Sequence, residues 1–229
     1  SKKIRIINKK VQNIDIKEPG LFNGIFHLAA QASVPFSIEN FYESCENNLL
    51  SALKIFEWAK FQKVPVIYAS SSAVYGNLSI GDESQKKYDI LSPYAQDKLT
   101  LEHYASVFYK LHNIDSLGLR FFNVYGPRQN PENPYSGVIS IFFDRILKKK
   151  EVTVNGGYQT RDFIFVKDVA DVLYASMVKL SKKSFCDTLN VGTGVSISID
   201  ELLSIILDLV RASPKIIRKE LPDGDPKIS

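Results

Sequence analysis

The chain has 229 residues, of which 45% are hydrophobic and 24% charged, with a formal net charge of +4 at pH 7. This composition is typical of a globular protein with a substantial buried core, arranged as one large domain or two small ones. We expect a cytoplasmic protein that binds neither membranes nor nucleic acid, because no apolar run approaches the roughly 20 residues of a bilayer span, no signal peptide stands at the start and the basic residues are dispersed.

Strand-like and helical patterns alternate through the first half of the sequence. The hydrophobic periods predict strands at residues 24–30, 64–69 and 116–122, and helices at residues 48–60 and 93–111. Strands that alternate with helices of this length form parallel sheets through right-handed crossovers, and ligands of such sheets bind beyond the carboxyl ends of the strands. We therefore expect these three strand ends to meet at one crevice.

The second half follows a different order of elements. It predicts a helix at 137–150, a strand and turn at 152–157, and a helix at 200–210 that Ser198 or Asp200 can cap. No clean linker precedes it.

The three histidines are too dispersed for a metal site, and the two cysteines are expected to be reduced thiols, although they could in principle bridge.

A tyrosine and a lysine stand four residues apart where a helix is predicted to begin. If Ser92-Pro93 opens that helix, Tyr94 and Lys98 project from one face, and the ammonium should lower the pKa of the phenol from about 10. Such a phenol can take and return a proton. Each feature alone is also consistent with an ordinary surface pair.

A serine cluster, Ser70 to Ser72, follows the predicted strand 64–69. A hydroxyl at that strand end can hold a substrate oxygen, although serines there also form ordinary turns. The strand is followed in order by the serines, a Val-Tyr-Gly turn and the predicted helix that begins with Tyr94. This order favours a catalytic site.

This order resembles the extended short-chain dehydrogenase/reductases, in particular the nucleotide-sugar epimerases and dehydratases. Four further segments resemble that family in the same order along the chain: His27-Leu-Ala-Ala-Gln-Ala-Ser33, Leu119-Arg-Phe-Phe-Asn-Val-Tyr-Gly-Pro-Arg128, Thr160-Arg-Asp-Phe-Ile-Phe-Val-Lys-Asp168 and Asn190-Val-Gly-Thr-Gly194. The resemblance covers nearly the whole chain.

The resemblance implies an α/β fold with a Rossmann-like doubly wound parallel sheet, N-terminally incomplete, and a smaller α/β substrate-binding lobe. The NAD-binding domain is expected over residues 1–127 and the lobe over 128–229, with 163–191 returning to the first domain. The family builds a homodimer through a four-helix bundle from helices equivalent to 48–60 and 93–111. Their apolar stripes would look the same if they simply packed on the sheet.

The resemblance also implies roles for individual residues. The implied catalytic residues are Tyr94, Lys98 and Ser71, with Ser72 as the second candidate for the hydroxyl. The implied cofactor-binding residues are Ala29, Ala30, Gln31, Ala69, Ser70, Tyr94, Lys98 and Phe121. The implied substrate-binding residues are Ser72, Asn123, Val138, Arg161, Asp225 and Ser229. For Arg161 an ordinary ion pair with a nearby carboxylate is the alternative.

The implied reaction is NAD-dependent 4-epimerisation of a UDP-sugar. Dehydratases and decarboxylases of the family carry carboxylates where this chain has Ser72 and Ala73, which argues against both activities. A small residue at the position of Ser229 favours UDP-N-acetylglucosamine and UDP-N-acetylgalactosamine over UDP-glucose and UDP-galactose. A UDP-glucuronate 4-epimerase or a reductase is the alternative within enzymes.

Two departures from the family pattern stand out. The glycine-rich turn that cradles the cofactor pyrophosphate is missing from the sequence, and Pro222 stands where the family commonly has an arginine. We expect these residues to be part of a longer enzyme that continues at both ends. The alternative is a short paralogue, a catalytically silent subunit or nucleotide-sugar-binding fragment.

Overall fold

A computed structural model of the chain describes residues 4–15, 20–78, 80–85, 87–133, 136–222 and 225–228. The predicted substrate residue Ser229 lies outside the described residues. The strands, in chain order, are β1 (Ile25–His27), β2 (Val66–Ser71), β3 (Ser116–Phe121), β4 (Asn123–Tyr125), β5 (Val152–Asn155), β6 (Thr160–Phe165), β7 (Cys186–Val191), β8 (Ser196–Ser198) and β9 (Ile216–Lys219). The α-helices are α1 (Val34–Glu39), α2 (Phe41–Cys45), α3 (Ser51–Gln62), α4 (Pro93–His112), α5 (Val138–Leu147), α6 (Val166–Leu180) and α7 (Ile199–Val210).

A four-stranded parallel sheet forms the centre of the molecule, in the order β1-β2-β3-β7. Alternate residues of β2 point to opposite faces: Val66 and Tyr68 pack with the core that includes α3 and α4, and Ile67 packs with the core that includes α6. Both faces are therefore buried, as expected for parallel strands joined by helical crossovers. The predicted α/β fold is confirmed.

Helix α4 begins and ends as its sequence predicts. Ser92 is the N-cap residue, its hydroxyl accepts a hydrogen bond from the Ala95 N–H at 3.2 Å, and Pro93 occupies the first turn. The helix ends at Asn113, whose positive φ of 55° is the left-handed conformation that closes many helices. These local signals fix Tyr94 and Lys98 within its first two turns.

The helix predicted at 48–60 begins earlier than expected. Helical structure runs without a break from Phe41 to Gln62, through α2, a π-helical turn at Glu46–Leu50 and α3. In that turn the Ser51 N–H donates to the Glu46 carbonyl, five residues back. The prediction was wrong about the start because the buried side chains in this stretch are polar, Ser44 and Asn48 among them, so no apolar period marks it.

Smaller sheets flank the central one. Strands β4, β6 and β8 form one, and β5 pairs with β9 in another. Helices α5 and α7 pack with β5 around a separate apolar cluster that contains Phe142, Val154 and Leu203. A capping box between Ser198 and Glu201 starts α7.

The chain returns to the central sheet between these smaller sheets. Helix α6 packs against β2 and β3, and β7 pairs with β3 along its whole length. The division into two domains at residue 127 stays a prediction. Within the part of the chain that the structure describes, no helix is long and apolar enough to cross a bilayer.

Candidate active site

A cavity of about 420 Å³ opens at the carboxyl ends of β2 and β3, between the start of α4 and the start of α5. Nine of the residues predicted from the sequence line it: Ala30, Ala69, Ser70, Ser71, Tyr94, Lys98, Phe121, Asn123 and Val138. The three strand ends expected to meet therefore do so, because parallel strands place their carboxyl ends at one edge of the sheet.

Tyr94 and Lys98 lie side by side on this cavity wall. The Lys98 Nζ is 5.7 Å from the centroid of the Tyr94 ring and donates a hydrogen bond to the Ala69 carbonyl at 2.8 Å. The Tyr94 side chain hydrogen-bonds with Ser71, at the end of β2. The backbone of the tyrosine is held as well, since its N–H donates to the Ser37 hydroxyl at 3.2 Å. The phenol, the ammonium and one hydroxyl of the serine cluster thus form one group.

The electrostatics of this group differ from the expectation. Burial raises the pKa of Tyr94 above its usual value of 10, and the hydrogen bond with Ser71 only partly offsets that shift. The predicted lowering of the phenol pKa by Lys98 is therefore not met in this structure. The ammonium is directed at the Ala69 carbonyl and is itself buried, which lowers the pKa of Lys98 to about 8.

Two acidic residues of the same helix act in the opposite direction on Lys98. The negative charges of Asp97 and Glu102 raise its pKa against the larger effect of burial. On β1, burial and the positive charge of Lys98 lower the pKa of His27 to about 4, so this histidine is neutral at pH 7. Lys98 is thus a cation that lies beside the phenol and also acts on the end of β1.

A buried ion pair stands behind the serine cluster. Arg120 on β3 makes two hydrogen bonds to the Glu102 carboxylate, at 2.9 and 2.6 Å, and the Ser70 hydroxyl donates to the same carboxylate at 2.5 Å. The guanidinium also donates to the hydroxyls of Tyr75 at 2.7 Å and Tyr88 at 3.0 Å. The network fixes the end of β2 against α4 and β3.

Sequence reasoning did not single out this pair. Both residues are almost fully buried, with exposed fractions of 2% for Arg120 and 8% for Glu102. Two signals were available: an arginine inside the otherwise apolar β3, and a glutamate one helical turn after Lys98.

The predicted substrate residues are only partly brought together. Asn123 and Val138 line the cavity together with Gly137 and Ile139, so α5, which has no side-chain cap, begins at the cavity wall. Ser72 lies instead in a neighbouring cavity of about 310 Å³, together with Tyr75 and Phe122. Phe122 lines both this cavity and the one that contains Tyr94.

Arg161 forms an ion pair with a nearby carboxylate, which was the alternative to a role in substrate binding. Its guanidinium is bonded to the Asp225 carboxylate at 2.5 Å and to the Thr160 carbonyl at 2.8 Å, and its side chain is largely buried. Neither member of the pair lines the cavity that contains Tyr94. Whether they bind substrate stays a prediction.

The remaining predicted cofactor residues lie at the end of β1. Ala29, Ala30 and Gln31 line a cavity of about 380 Å³, and Ala30 also lines the Tyr94 cavity. The Gln31 N–H donates to Asn48 Oδ1 at 2.8 Å, whereas its buried Oε1 atom has no partner among the described residues. Small side chains and an unsatisfied buried acceptor suit a polar, planar ligand at this strand end. These residues fit part of a dinucleotide.

The comparison with known proteins now identifies the chain's relatives. Residues 10–192 match the model of the NAD dependent epimerase/dehydratase family. The chain belongs to this family. The predicted resemblance is thereby confirmed, and the NAD dependence of the family agrees with the predicted cofactor.

Similar proteins with different substrates are known. The chain is 34% identical over 192 residues to UDP-glucose 4-epimerase of Mycolicibacterium smegmatis, covering 82% of this chain and 60% of that protein. Its fold matches UDP-N-acetylglucosamine 4-epimerase from Methanobrevibacter ruminantium M1, in complex with UDP-N-acetylmuramic acid, with a TM-score of 0.90 and 33% identity over 97% of this chain and 72% of that one.

A third neighbour is UDP-glucuronic acid 4-epimerase from Bacillus cereus in complex with UDP-glucuronic acid and NAD. The TM-score is 0.89 at 29% identity, covering 97% of this chain and 71% of that one. The chain spans about two thirds of the length of the curated relatives it matches, from 64% to 68% for three of them. The predicted Rossmann-like fold is confirmed by these neighbours, which are nucleotide-sugar epimerases.

Proposed function

We propose that this chain carries the catalytic site of an NAD-dependent nucleotide-sugar 4-epimerase. The preferred substrates are UDP-N-acetylglucosamine and UDP-N-acetylgalactosamine, followed by UDP-glucose and UDP-galactose. The observation that carries the proposal is the group of Tyr94, Ser71 and Lys98 on one wall of the cavity, with the phenol hydrogen-bonded to the serine and beside the ammonium. An alcohol oxygen placed against the first two groups can lose and regain a proton.

Each residue has a specific task in this proposal. Tyr94 removes the proton from the sugar 4-hydroxyl and later returns it. Ser71 holds the reacting oxygen by a hydrogen bond, and Ser72 is the second candidate for that contact. Lys98 places a positive charge beside the phenol, which favours the ionised form that burial opposes.

The chemistry that side chains lack, removal and return of a hydride at the sugar C4, is supplied by NAD when it is bound. The residues that would hold it are those around the ends of β1 and β2, namely Ala29, Ala30, Gln31, Ala69, Ser70 and Lys98, with Phe121 from β3. Epimerisation then requires the oxidised sugar to turn over in the cavity before Tyr94 returns the proton.

The diphosphate of the substrate would lie against the start of α5. The uncapped N–H groups near Val138 and the amide of Asn123 are suitable donors for phosphate oxygens. A role for Arg161 in holding phosphate requires its bond to Asp225 to open or to be shared with the ligand.

UDP-glucuronate is the alternative substrate. It is favoured by the fold match to the Bacillus cereus enzyme, whose TM-score of 0.89 is nearly that of the N-acetylglucosamine enzyme. The preference for N-acetyl sugars rests on the small side chain of Ser229, and therefore on the sequence alone.

We also propose that the protein is a homodimer whose subunits meet through the helices of 41–62 and α4. The support is the exposed apolar side chains on these helices, which include Phe41, Tyr42, Val107 and Leu111. Sedimentation equilibrium at micromolar concentration tests this proposal. A mass of two chains would support the dimer, and a mass of one chain would contradict it.

The test of the catalytic proposal is turnover of each UDP-sugar by purified protein supplied with NAD, followed by the anomeric proton signals of the two epimers. Replacing Tyr94 with phenylalanine removes only the hydroxyl and should lower turnover by about 10²- to 10⁴-fold, as for loss of a general acid and base. The matched control is Tyr104→Phe, on the exposed side of the same helix, which should leave turnover unchanged.

Two outcomes would contradict the proposal. Unchanged turnover in Tyr94→Phe would remove the tyrosine from the chemistry. Tight binding of UDP-sugars and NAD by the wild-type protein without any interconversion would instead favour the catalytically silent, nucleotide-sugar-binding alternative.

A further inference from the structure

Helix α4 is joined to the end of β2 by three side chains that stand one helical turn apart. Residues four apart in a helix lie on one face, and here that face is turned towards the strand end. Each of the three bonds a different residue of β2, and those residues are consecutive. The pairs are Tyr94 with Ser71, Lys98 with the Ala69 carbonyl at 2.8 Å, and Glu102 with the Ser70 hydroxyl at 2.5 Å. The first two pairs hold the groups of the proposed chemistry, whereas the third has no part in it so far.

Glu102 is fixed on the side that faces away from Ser70. Arg120 on β3 donates to both carboxylate oxygens, at 2.9 and 2.6 Å, and the exposed fractions of the arginine and glutamate side chains are 3% and 6%. The guanidinium carbon in turn lies 4.9 and 5.4 Å from the ring centroids of Tyr75 and Tyr88. A buried carboxylate held by two hydrogen bonds from one guanidinium has little freedom to move, so it is a fixed point for the serine.

The location of Ser70 makes this bond relevant to the site. Ser70 stands between Ala69, whose carbonyl accepts from Lys98, and Ser71, whose side chain meets Tyr94. Because one residue spans about 3.3 Å along a strand, a bond from Ser70 restrains the backbone on both sides of it. The anchor therefore lies within one residue of both contacts that hold the catalytic side chains.

The Ser70 hydroxyl differs from that of Ser71 in where its proton goes. A carboxylate paired with a guanidinium accepts hydrogen bonds and donates none, so the Ser70 proton is committed to Glu102. Ser70 is also buried, with an exposed fraction of 2%. Its hydroxyl thus holds the strand end in place, and the hydroxyl of Ser71 is left to face the phenol.

We propose that Glu102 is a positioning residue that acts through Ser70 and keeps the Ser71 hydroxyl at hydrogen-bonding distance from the Tyr94 phenol. Arg120 is its anchor on the neighbouring strand. This inference rests on the proposed function, because it concerns the placement of the residues to which that function assigns the proton transfer. Without the bond to Ser70, the strand end is released while the ion pair remains.

The test replaces Ser70, because this residue carries the link and its loss leaves the pair of Glu102 and Arg120 intact. Ser70→Ala removes the hydroxyl, and Ser70→Thr keeps it. The full chain is labelled with ¹³C at the tyrosine ζ-carbon, and the Tyr94 signal is assigned by its loss in Tyr94→Phe. This signal reports the hydrogen bonding of the phenol and does not depend on turnover. It should shift in Ser70→Ala and stay at the wild-type position in Ser70→Thr.

Kinetics test the consequence for turnover. Because a misplacement of about 1 Å can cost about 10²-fold in rate, kcat of Ser70→Ala should fall by about 10- to 100-fold. KM for the UDP-sugar and Kd for NAD should stay near their wild-type values, because the lost hydroxyl donates to Glu102 and not to a ligand. Ser70→Thr should recover most of the lost kcat.

Two further variants complete the design. Ser116→Ala is the matched control, since Ser116 is fully buried at the amino end of β3, at the opposite end of the same sheet, and its hydroxyl is 3.4 Å from the Cys186 sulfur. It should leave the Tyr94 signal and kcat unchanged. Ser70→Cys keeps the size of the side chain but donates weakly, and it should change both readouts in the same direction as Ser70→Ala if the alanine variant does not fold.

The outcomes separate this proposal from the proposed function. An unmoved Tyr94 signal in the folded Ser70→Ala or Ser70→Cys protein would overturn the proposal, because the strand end would then keep its place without the bond. A shifted signal with wild-type kcat would also overturn it, since the positioning would have no effect on turnover. If the wild type shows no interconversion at all, the proposed function fails, and the Tyr94 signal still decides whether Glu102 holds the phenol and the serine together.

Discussion

The lowered pKa of the buried Lys98 ammonium leads to a quantitative prediction about the free energy of unfolding. Its pKa is lowered from 10.5 to about 8 in the folded protein, because burial disfavours the charged form. Between these two values the unfolded chain binds a proton that the folded chain does not, so the free energy of unfolding should rise as the pH increases from 8 to 10.5. Below pH 8 the folded state therefore carries the full cost of the buried charge, about 3 kcal/mol at ~1.4 kcal/mol per pKa unit.

Replacing Lys98 with methionine removes this cost and its pH dependence. The variant also loses the hydrogen bond to the Ala69 carbonyl, which costs about 1–3 kcal/mol when an acceptor is left buried and unpaired. At pH 7 the two effects oppose each other, and the variant should be as stable as the wild type or up to about 2 kcal/mol more stable, although inactive. At pH 10 the wild type should have regained about 2–3 kcal/mol relative to the variant.

The assay is urea unfolding followed by circular dichroism at pH 7 and pH 10. Lys110→Met is the matched control, because Lys110 is exposed near the end of the same helix and its loss removes an equal charge. If wild type and Lys98→Met differ by the same free energy at both pH values, Lys98 is not a buried ammonium of lowered pKa, and the reasoning fails.

Three other predictions follow from buried polar groups. His27 has its pKa lowered from 6.5 to about 4 by burial, so acidification through this range should cost the wild type about 3 kcal/mol of stability that His27→Leu does not lose, as measured by urea unfolding at pH 7 and pH 4. Glu102→Gln leaves the Arg120 charge buried without its partner and should lower the free energy of unfolding by about 3–5 kcal/mol; a loss below 1 kcal/mol would mean that the pair is solvated. Asn48→Ala leaves the Gln31 N–H unpaired and should cost about 1–3 kcal/mol in the same assay, with protection of that amide from hydrogen exchange decreasing first.

The sequence predicted the elements whose signals are local. Ser92, Pro93 and Asn113 define α4 by capping chemistry alone, and the apolar runs of β2 and β3 mark the central sheet. Because the carboxyl ends of parallel strands share an edge, the convergence of Ser71, Tyr94 and Lys98 on one cavity followed from the order of elements.

What the sequence did not predict depends on contacts between distant segments. The start of the long helix was missed because its buried face presents Ser44 and Asn48 to Asp97, and polar side chains leave no hydrophobic period. The Glu102–Arg120 pair joins positions 18 residues apart that become neighbours only when α4 packs on β3. The pKa of Tyr94 could not be judged from spacing alone, since spacing indicates the nearby cation but not the depth of burial that outweighs it.

The π-helical turn at Glu46–Leu50 has a consequence for how this helix tolerates changes in length. Such a turn holds one residue more than regular helical geometry, while the segments before and after it keep their angular phase. Removing a single residue there would let the helix become regular without rotating Ile55 or Phe56 out of the core. If the residue removed is Asn48, the helix would stay packed while the hydrogen bonds that join the end of β1 to Asp97 on α4 are lost.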